Sequence, residues 1–176
     1  GDNQVKIWNT STLICEKTIN TRIPLVRTLC YTPNGQHILA GGNYSPKLPT
    51  LELLNASTGL SEKLLEGHNE TILFVDISKN GKYAISGCWD NTVRLWDIQT
   101  GRCIRTYFGH TDHVQSVSFS PDSKHFISGS WDNTVKLWKI NQEEEILSMI
   151  SYENEWIIST PDGYWDGSVN CGNMVT

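Results

Sequence analysis

The nine residues WDNTVRLWD, Trp89 to Asp97, return almost unchanged as WDNTVKLWK, Trp131 to Lys139, 42 positions later. Nothing else in the chain limits its fold as tightly, because a long fixed period means that one structural unit is built repeatedly. The flanks keep the same step. Gly67-His68 recurs as Gly109-His110, and Ser86-Gly87 as Ser128-Gly129. Moving back from Trp96 by the same 42 positions reaches Leu54 in LELLN, a degenerate copy, and 46 positions before that stands Trp8 in DNQVKIWN. The stretch YSPKLP, Tyr44 to Pro49, accounts for the extra length, and its two prolines belong in a loop.

Within a unit the period is that of β-strands. TVRLW alternates small or polar residues with apolar ones and is rich in β-formers. In the third unit four short strands are expected at about Ile72–Ile77, Lys82–Gly87, Thr92–Asp97 and Arg102–Phe108. The turns between them are SKNG, WDN and DIQTG; in the fourth unit SPDS and WDN take the first two places. Four antiparallel strands at this period point to propeller blades.

The pattern GH, then about two dozen residues, then S-G-x-W-D-N-T-V-[KR]-L-W-[DK] resembles the WD-repeat β-propeller family over residues 1–150. The expected fold is all-β: a partial propeller of four-stranded antiparallel blades. Its expected parts are a half blade (1–20, strands c and d), a degenerate blade (21–66), two WD-repeat blades (67–108 and 109–150) and a divergent hairpin tail (151–176). The tail aligns with the a–b hairpin of a further blade. Its segment from Trp156 to Tyr164, with Thr160-Pro161-Asp162-Gly163, is also similar to one that follows WD repeats in some bacterial multidomain proteins, including ones fused to caspase-like peptidases. The opening GDNQVKIW reads as the interior of a motif, so the chain is expected to be a segment of something longer.

Histidine, serine and aspartate are the residue types of a hydrolase triad, and His68, Ser86 and Asp90 stand at repeat-fixed distances. A fastening role is favoured over a catalytic one. The set recurs as His110, Ser128 and Asp132, and no GxSxG surrounds either serine. The resemblance implies structural tetrads His68–Ser86–Asp90–Trp96 and His110–Ser128–Asp132–Trp138. The degenerate blade has Gly41-Gly42 and Leu54 at the corresponding places, lacks a full tetrad and is expected to be the least rigid.

Function is then expected on loops held by this scaffold. The resemblance directs attention to the top face, where Glu70, Thr71, Asp112 and His113 follow the GH dipeptides and Trp89 and Trp131 precede the turn aspartates. For the two tryptophans, contact with a partner and packing between blades remain equal alternatives. A non-enzymatic protein-interaction scaffold binding a protein or peptide is the expected function. The alternative is the regulatory or sensor arm of a larger multidomain enzyme.

Composition narrows the field. A net charge of −5 with no Lys/Arg cluster argues against nucleic acid and anionic membranes as partners. No stretch approaches the roughly 20 apolar residues of a membrane span. Cys15, Cys30, Cys88, Cys103 and Cys171 are scattered without a CxxC, as free thiols in a reducing, cytoplasmic setting would be. The five histidines form no metal-binding spacing, and no metal or cofactor is expected. A partial ring leaves blade faces bare, so self-association through the open blades is expected.

Overall fold

A computed structural model of the chain describes residues 3–42, 51–152 and 155–168; the YSPKLP stretch lies outside them. Among these residues there are sixteen β-strands and no helix. A two-stranded sheet comes first, from β1 (Gln4–Trp8) and β2 (Cys15–Asn20). Two four-stranded antiparallel meanders follow. The first contains β3 (Val26–Tyr31), β4 (His37–Gly42), β5 (Leu51–Asn55) and β6 (Ser61–Leu65). The second contains β7 (Ile72–Ile77), β8 (Tyr83–Cys88), β9 (Val93–Asp97) and β10 (Cys103–Tyr107). The last sheet joins β11 (Val114–Phe119), β12 (His125–Ser130), β13 (Thr134–Lys139), β14 (Glu145–Tyr152), β15 (Glu155–Ser159) and β16 (Trp165–Gly167) in that order. The result is a partial, open β-propeller whose blades are consecutive meanders.

The turns form as their residues dictate. Asn91 and Asn133, third in each WDN, take left-handed φ values of 64° and 65°, a region asparagine tolerates better than most side chains. At the a–b turns a hydroxyl closes each loop. Thr32, Ser78 and Ser120 accept the N–H of His37, Tyr83 and His125 at 3.0, 2.9 and 3.0 Å.

Blades stack face to face, and strand alternation decides what each face carries. On β8 and β9, Ile85, Val93 and Leu95 are buried under Val114, Val117, Phe126 and Trp138 of the next blade. The residues 42 positions on, Ile127 and Val135, are 48% and 37% exposed, because no further blade covers them among the described residues. The second blade closes without tryptophan. Leu54, fully buried, packs with Ile38 and Ala40 against Val5 and Ile19 of the half blade. Trp8, which holds the strand position of Trp96 and Trp138, is 56% exposed. Asp76 adds a polar link between blades. Its Oδ2 accepts the Phe119 N–H at 2.7 Å, a donor on the innermost strand of the next sheet.

The tail departs from the alignment with a new a–b hairpin. β15 pairs antiparallel with β14, from Ser148↔Ser159 to Tyr152↔Glu155, so β15 and β16 widen the fourth sheet to six strands. β14 is eight residues long, and the hairpin pairs the ladder edge that would otherwise lie open. The EEE run, Glu143 to Glu145, reads in the sequence as a solvated c–d turn or an edge strand. Glu145 begins β14, and its carboxylate accepts from the buried Lys136 ammonium, which also donates to Ser148 at 2.6 Å.

Candidate functional site

The structure brings the two repeated sets together with nearly superimposable geometry. His68 Nδ1 lies 2.7 Å from Asp90 Oδ2, His68 Nε2 2.8 Å from Ser86 Oγ, and Trp96 Nε1 donates to the same Oγ at 2.8 Å. In the next blade, His110 Nδ1 to Asp132, His110 Nε2 to Ser128 and Trp138 Nε1 to Ser128 span 2.7, 2.7 and 2.8 Å. The spacing follows from the strands. Ser86 on β8 faces the interior between Ala84 and Cys88, and the b–c turn carries Asp90 back over it toward the histidine loop.

The electrostatics fix the protons. Burial pushes His68 and His110 below the ordinary imidazole value, against the pull of their aspartates, so both rings are neutral at neutral pH. Burial alone would raise the aspartates, but bonds from His68 and Thr92 hold Asp90 well below the carboxylate range. The same balance, with Thr134 and His110 as donors, sets Asp132 at about 2. An ionised aspartate requires the proton on Nδ1, so Nε2 accepts. The serine hydroxyl therefore donates to Nε2 and accepts from the indole N–H. Each aspartate also braces its own turn. Its Oδ1 accepts the Thr92 or Thr134 hydroxyl at 2.6 Å and so holds the WDN turn closed.

This wiring has the direction of a hydrolase triad and none of its access. Ser86 is fully buried and Ser128 is 1% exposed, and in both the oxygen lone pair that would attack a substrate already receives an indole N–H. Cys88 lies beside the first set, where His68, Cys88 and Asp90 bring potential ligand atoms within 4.8 Å of one another. Both His68 nitrogens are committed to hydrogen bonds, and burial raises the Cys88 thiol far from the thiolate that binds metals.

The rim residues are arranged differently. Trp89 stacks on His113, centroids 5.2 Å apart and planes 17° off parallel, and the Arg27 guanidinium lies 5.8 Å from the Trp89 ring. His113 Nδ1 donates to the Trp89 carbonyl at 2.9 Å, which leaves Nε2 as the free nitrogen. Trp131 meets the same imidazole at 5.2 Å, tilted by 44°, with 58% of its surface exposed. One continuous ladder, Arg27–Trp89–His113–Trp131, thus crosses three blades. Asp112 borders it, half exposed, with its Oδ1 accepting the His113 N–H at 2.7 Å. Glu70 is exposed. Thr71 is buried, and its carbonyl receives the Trp89 N–H at 3.0 Å. Arg27 was not legible from the repeat, because it stands on a blade without the GH signature.

Sheets of this kind, stacked and fastened by duplicated His–Ser–Asp–Trp sets, define a propeller built from sequence repeats. The family model described as "WD domain, G-beta repeat" matches residues 59–97 and 101–139. Each match begins two residues before the outer strand of one sheet and ends with the third strand of the next. These two segments are WD repeats. It is 26% identical over 98 residues to target of rapamycin complex subunit wat1 of Schizosaccharomyces pombe, covering 56% of this chain and 30% of that protein. It is 35% identical over 92 residues to small ribosomal subunit protein RACK1 of Trypanosoma brucei brucei, covering 52% and 26%. It is 29% identical over 98 residues to cell division cycle 20.4, cofactor of APC complex, of Arabidopsis thaliana, covering 56% and 21%. The chain thus spans less than a third of the length of these relatives.

Proposed function

We propose that the chain is a non-enzymatic interaction scaffold whose rim, centred on Trp131 and His113, takes a protein or peptide partner. The observation that carries this reading is the exposure of Trp131, 58%, on an imidazole already locked to Trp89. A rigid, half-desolvated indole beside a carboxylate is the kind of group that anchors interfaces. The names of three relatives support it, since they denote a complex subunit, a ribosomal subunit protein and a complex cofactor. The sealed serines argue against hydrolysis. The four described cysteines are unpaired, which fits a reducing cytoplasm.

Affinity capture with wild-type, Trp131→Ala and Glu70→Ala chains tests the reading. The expected result is selective loss of a bound protein on Trp131→Ala with circular dichroism unchanged; identical capture by all three would refute it. The bare face holding Ile127 and Val135 supports a second proposal, self-association of this chain. Sedimentation velocity should show oligomers that Ile127→Lys disperses, and a monomer in the wild type would contradict it.

A further inference from the structure

A cleft of about 430 Å³ opens between the second and third blades, at the end opposite the b–c turns. Two a–b turns form its walls, Thr32-Pro33-Asn34 on one side and Lys79-Asn80-Gly81 on the other, with Ile98 and Gln99 beneath and Lys82 and His37 at the edges. Two lysines, Lys79 and Lys82, therefore line it, and no carboxylate does. That is unusual for a chain of net charge −5.

The internal repeat shows how the charge arises. The three a–b turns share one hydrogen-bonded design. A hydroxyl at the first position bonds the side chain at the third, Thr32 to Asn34 at 2.7 Å, Ser78 to Asn80 at 2.8 Å and Ser120 to Asp122 at 2.5 Å. The turns read TPNG, SKNG and SPDS. Where the fourth blade has Pro121 and Asp122, the third has Lys79 and Asn80. The difference adds a cation and removes an anion on an unchanged backbone frame. Below the fourth blade, Asp122 and Lys124 balance each other, whereas Lys79 and Lys82 add.

The Asn80 amide is the uncommitted donor of the cleft, and Lys82 is drawn to Tyr83. Asn80 Oδ1 is committed to the Lys82 N–H and the Ser78 hydroxyl, so the Asn80 amide NH₂ has no partner among the described residues. Lys82 lies with its ammonium 4.9 Å from the Tyr83 ring. Asp97, whose charge Lys82 feels, is turned to the Thr100 N–H and hydroxyl at 2.7 and 3.0 Å. His37 Nε2 lies 2.9 Å from Glu62 Oε2, so this ring nitrogen is already engaged and the imidazole serves as a wall. Two lysines and an amide donor match a doubly charged group with three acceptor oxygens better than a single carboxylate.

We propose that this cleft binds a dianionic phosphoryl group. The site is separate from the rim and does not rest on the reading of Trp131. The probes are inorganic phosphate, N-acetyl-phosphoserine amide and N-acetyl-serine amide, added to the whole 176-residue chain. Backbone amide NMR is the readout. Saturable shifts are expected at Asn34, Asn80 and Gly81 with the first two probes and none with the third. Phosphoserine binding more tightly than phosphate would mean that the group is carried on a peptide; equal binding would identify the free ion as the ligand. The double change Lys79→Pro and Asn80→Asp installs the fourth blade's turn, which the chain already folds. It should weaken binding at least about tenfold, the loss of one charge-assisted contact, while Trp131→Ala should leave binding unchanged. Unaltered affinity in the double variant, or shifts spread over lysines elsewhere on the surface, would overturn the proposal.

Discussion

Replacing Ser128 by alanine removes one oxygen and disables two bonds. His110 Nε2 loses its donor at 2.7 Å and Trp138 Nε1–H its acceptor at 2.8 Å. Neither can turn to water, since the His110 side chain is 1% and Trp138 1% exposed. Trp138 cannot swing to another acceptor, because it is stacked on Phe126 at 6.0 Å and edged by Tyr107 at 5.5 Å. A buried polar group left unpaired costs about 1–3 kcal/mol, so two such groups set the loss at about 4 kcal/mol. That is a large share of a stability of about 5–15 kcal/mol. With a urea m-value of about 2 kcal/mol/M, the midpoint should fall by about 2 M at unchanged m. Ser118→Ala is the control. Its hydroxyl makes one 3.3 Å bond to Asp76 at an exposed position, and the change should stay within about 0.5 kcal/mol. Adding Trp138→Phe to Ser128→Ala removes the orphaned N–H, so the double variant should lose less than the sum of the singles by about 1–2 kcal/mol. A Ser128→Ala loss below about 1 kcal/mol, or simple additivity, would refute the reasoning.

Acid should destabilise the chain in two stages. His68 and His110 are depressed in the fold from 6.5, so the unfolded chain binds protons there first, and stability is lost as pH falls below 6.5. Asp90 and Asp132 are depressed from 3.8, which adds a second loss below 3.8 that continues to about 2, where Asp132 protonates in the fold. Urea midpoints that stay flat between pH 7 and 5 would contradict the first stage. Trp89→Ala should cost about 1–2 kcal/mol by thermal unfolding, since it breaks the His113 stack and the Arg27 contact, whereas Trp131→Ala should cost under about 0.5 kcal/mol. Amide hydrogen exchange should be faster in β4 and β5 than in β12 and β13, because only the latter blade is fastened by a tetrad; the reverse order would show that Leu54 and its apolar neighbours suffice.

The repeat made the sheets and the tetrads legible because both are local to one period. Strand limits in the third unit fall within a residue or so of the turn chemistry, with β8 at Tyr83–Cys88 where Lys82–Gly87 is expected. Contacts between periods were not legible. The Arg27–Trp89–His113–Trp131 ladder takes one residue or two from each of three blades, and only the rotation between blades brings them into line. That rotation also explains why Trp89 is packed while its repeat mate Trp131 is exposed: His113 lies over the first, and no later blade supplies its counterpart for the second among the described residues. The six-stranded sheet escaped for a related reason, since TPDG specifies a hairpin but not the edge it joins. Glu145 was hidden by its neighbours: three consecutive glutamates read as solvent-facing until Lys136 is placed beneath the last of them.

The central claim is that each His–Ser–Asp–Trp set is a sealed fastener with its protons fixed in one direction. Nitrogen-15 NMR of the imidazole rings at neutral pH tests it most directly. His68 and His110 should both appear as neutral Nδ1–H tautomers whose Nδ1 protons, like the Trp96 and Trp138 indole protons, exchange slowly with solvent. Rings that are protonated, in the Nε2–H form or freely exchanging would contradict it.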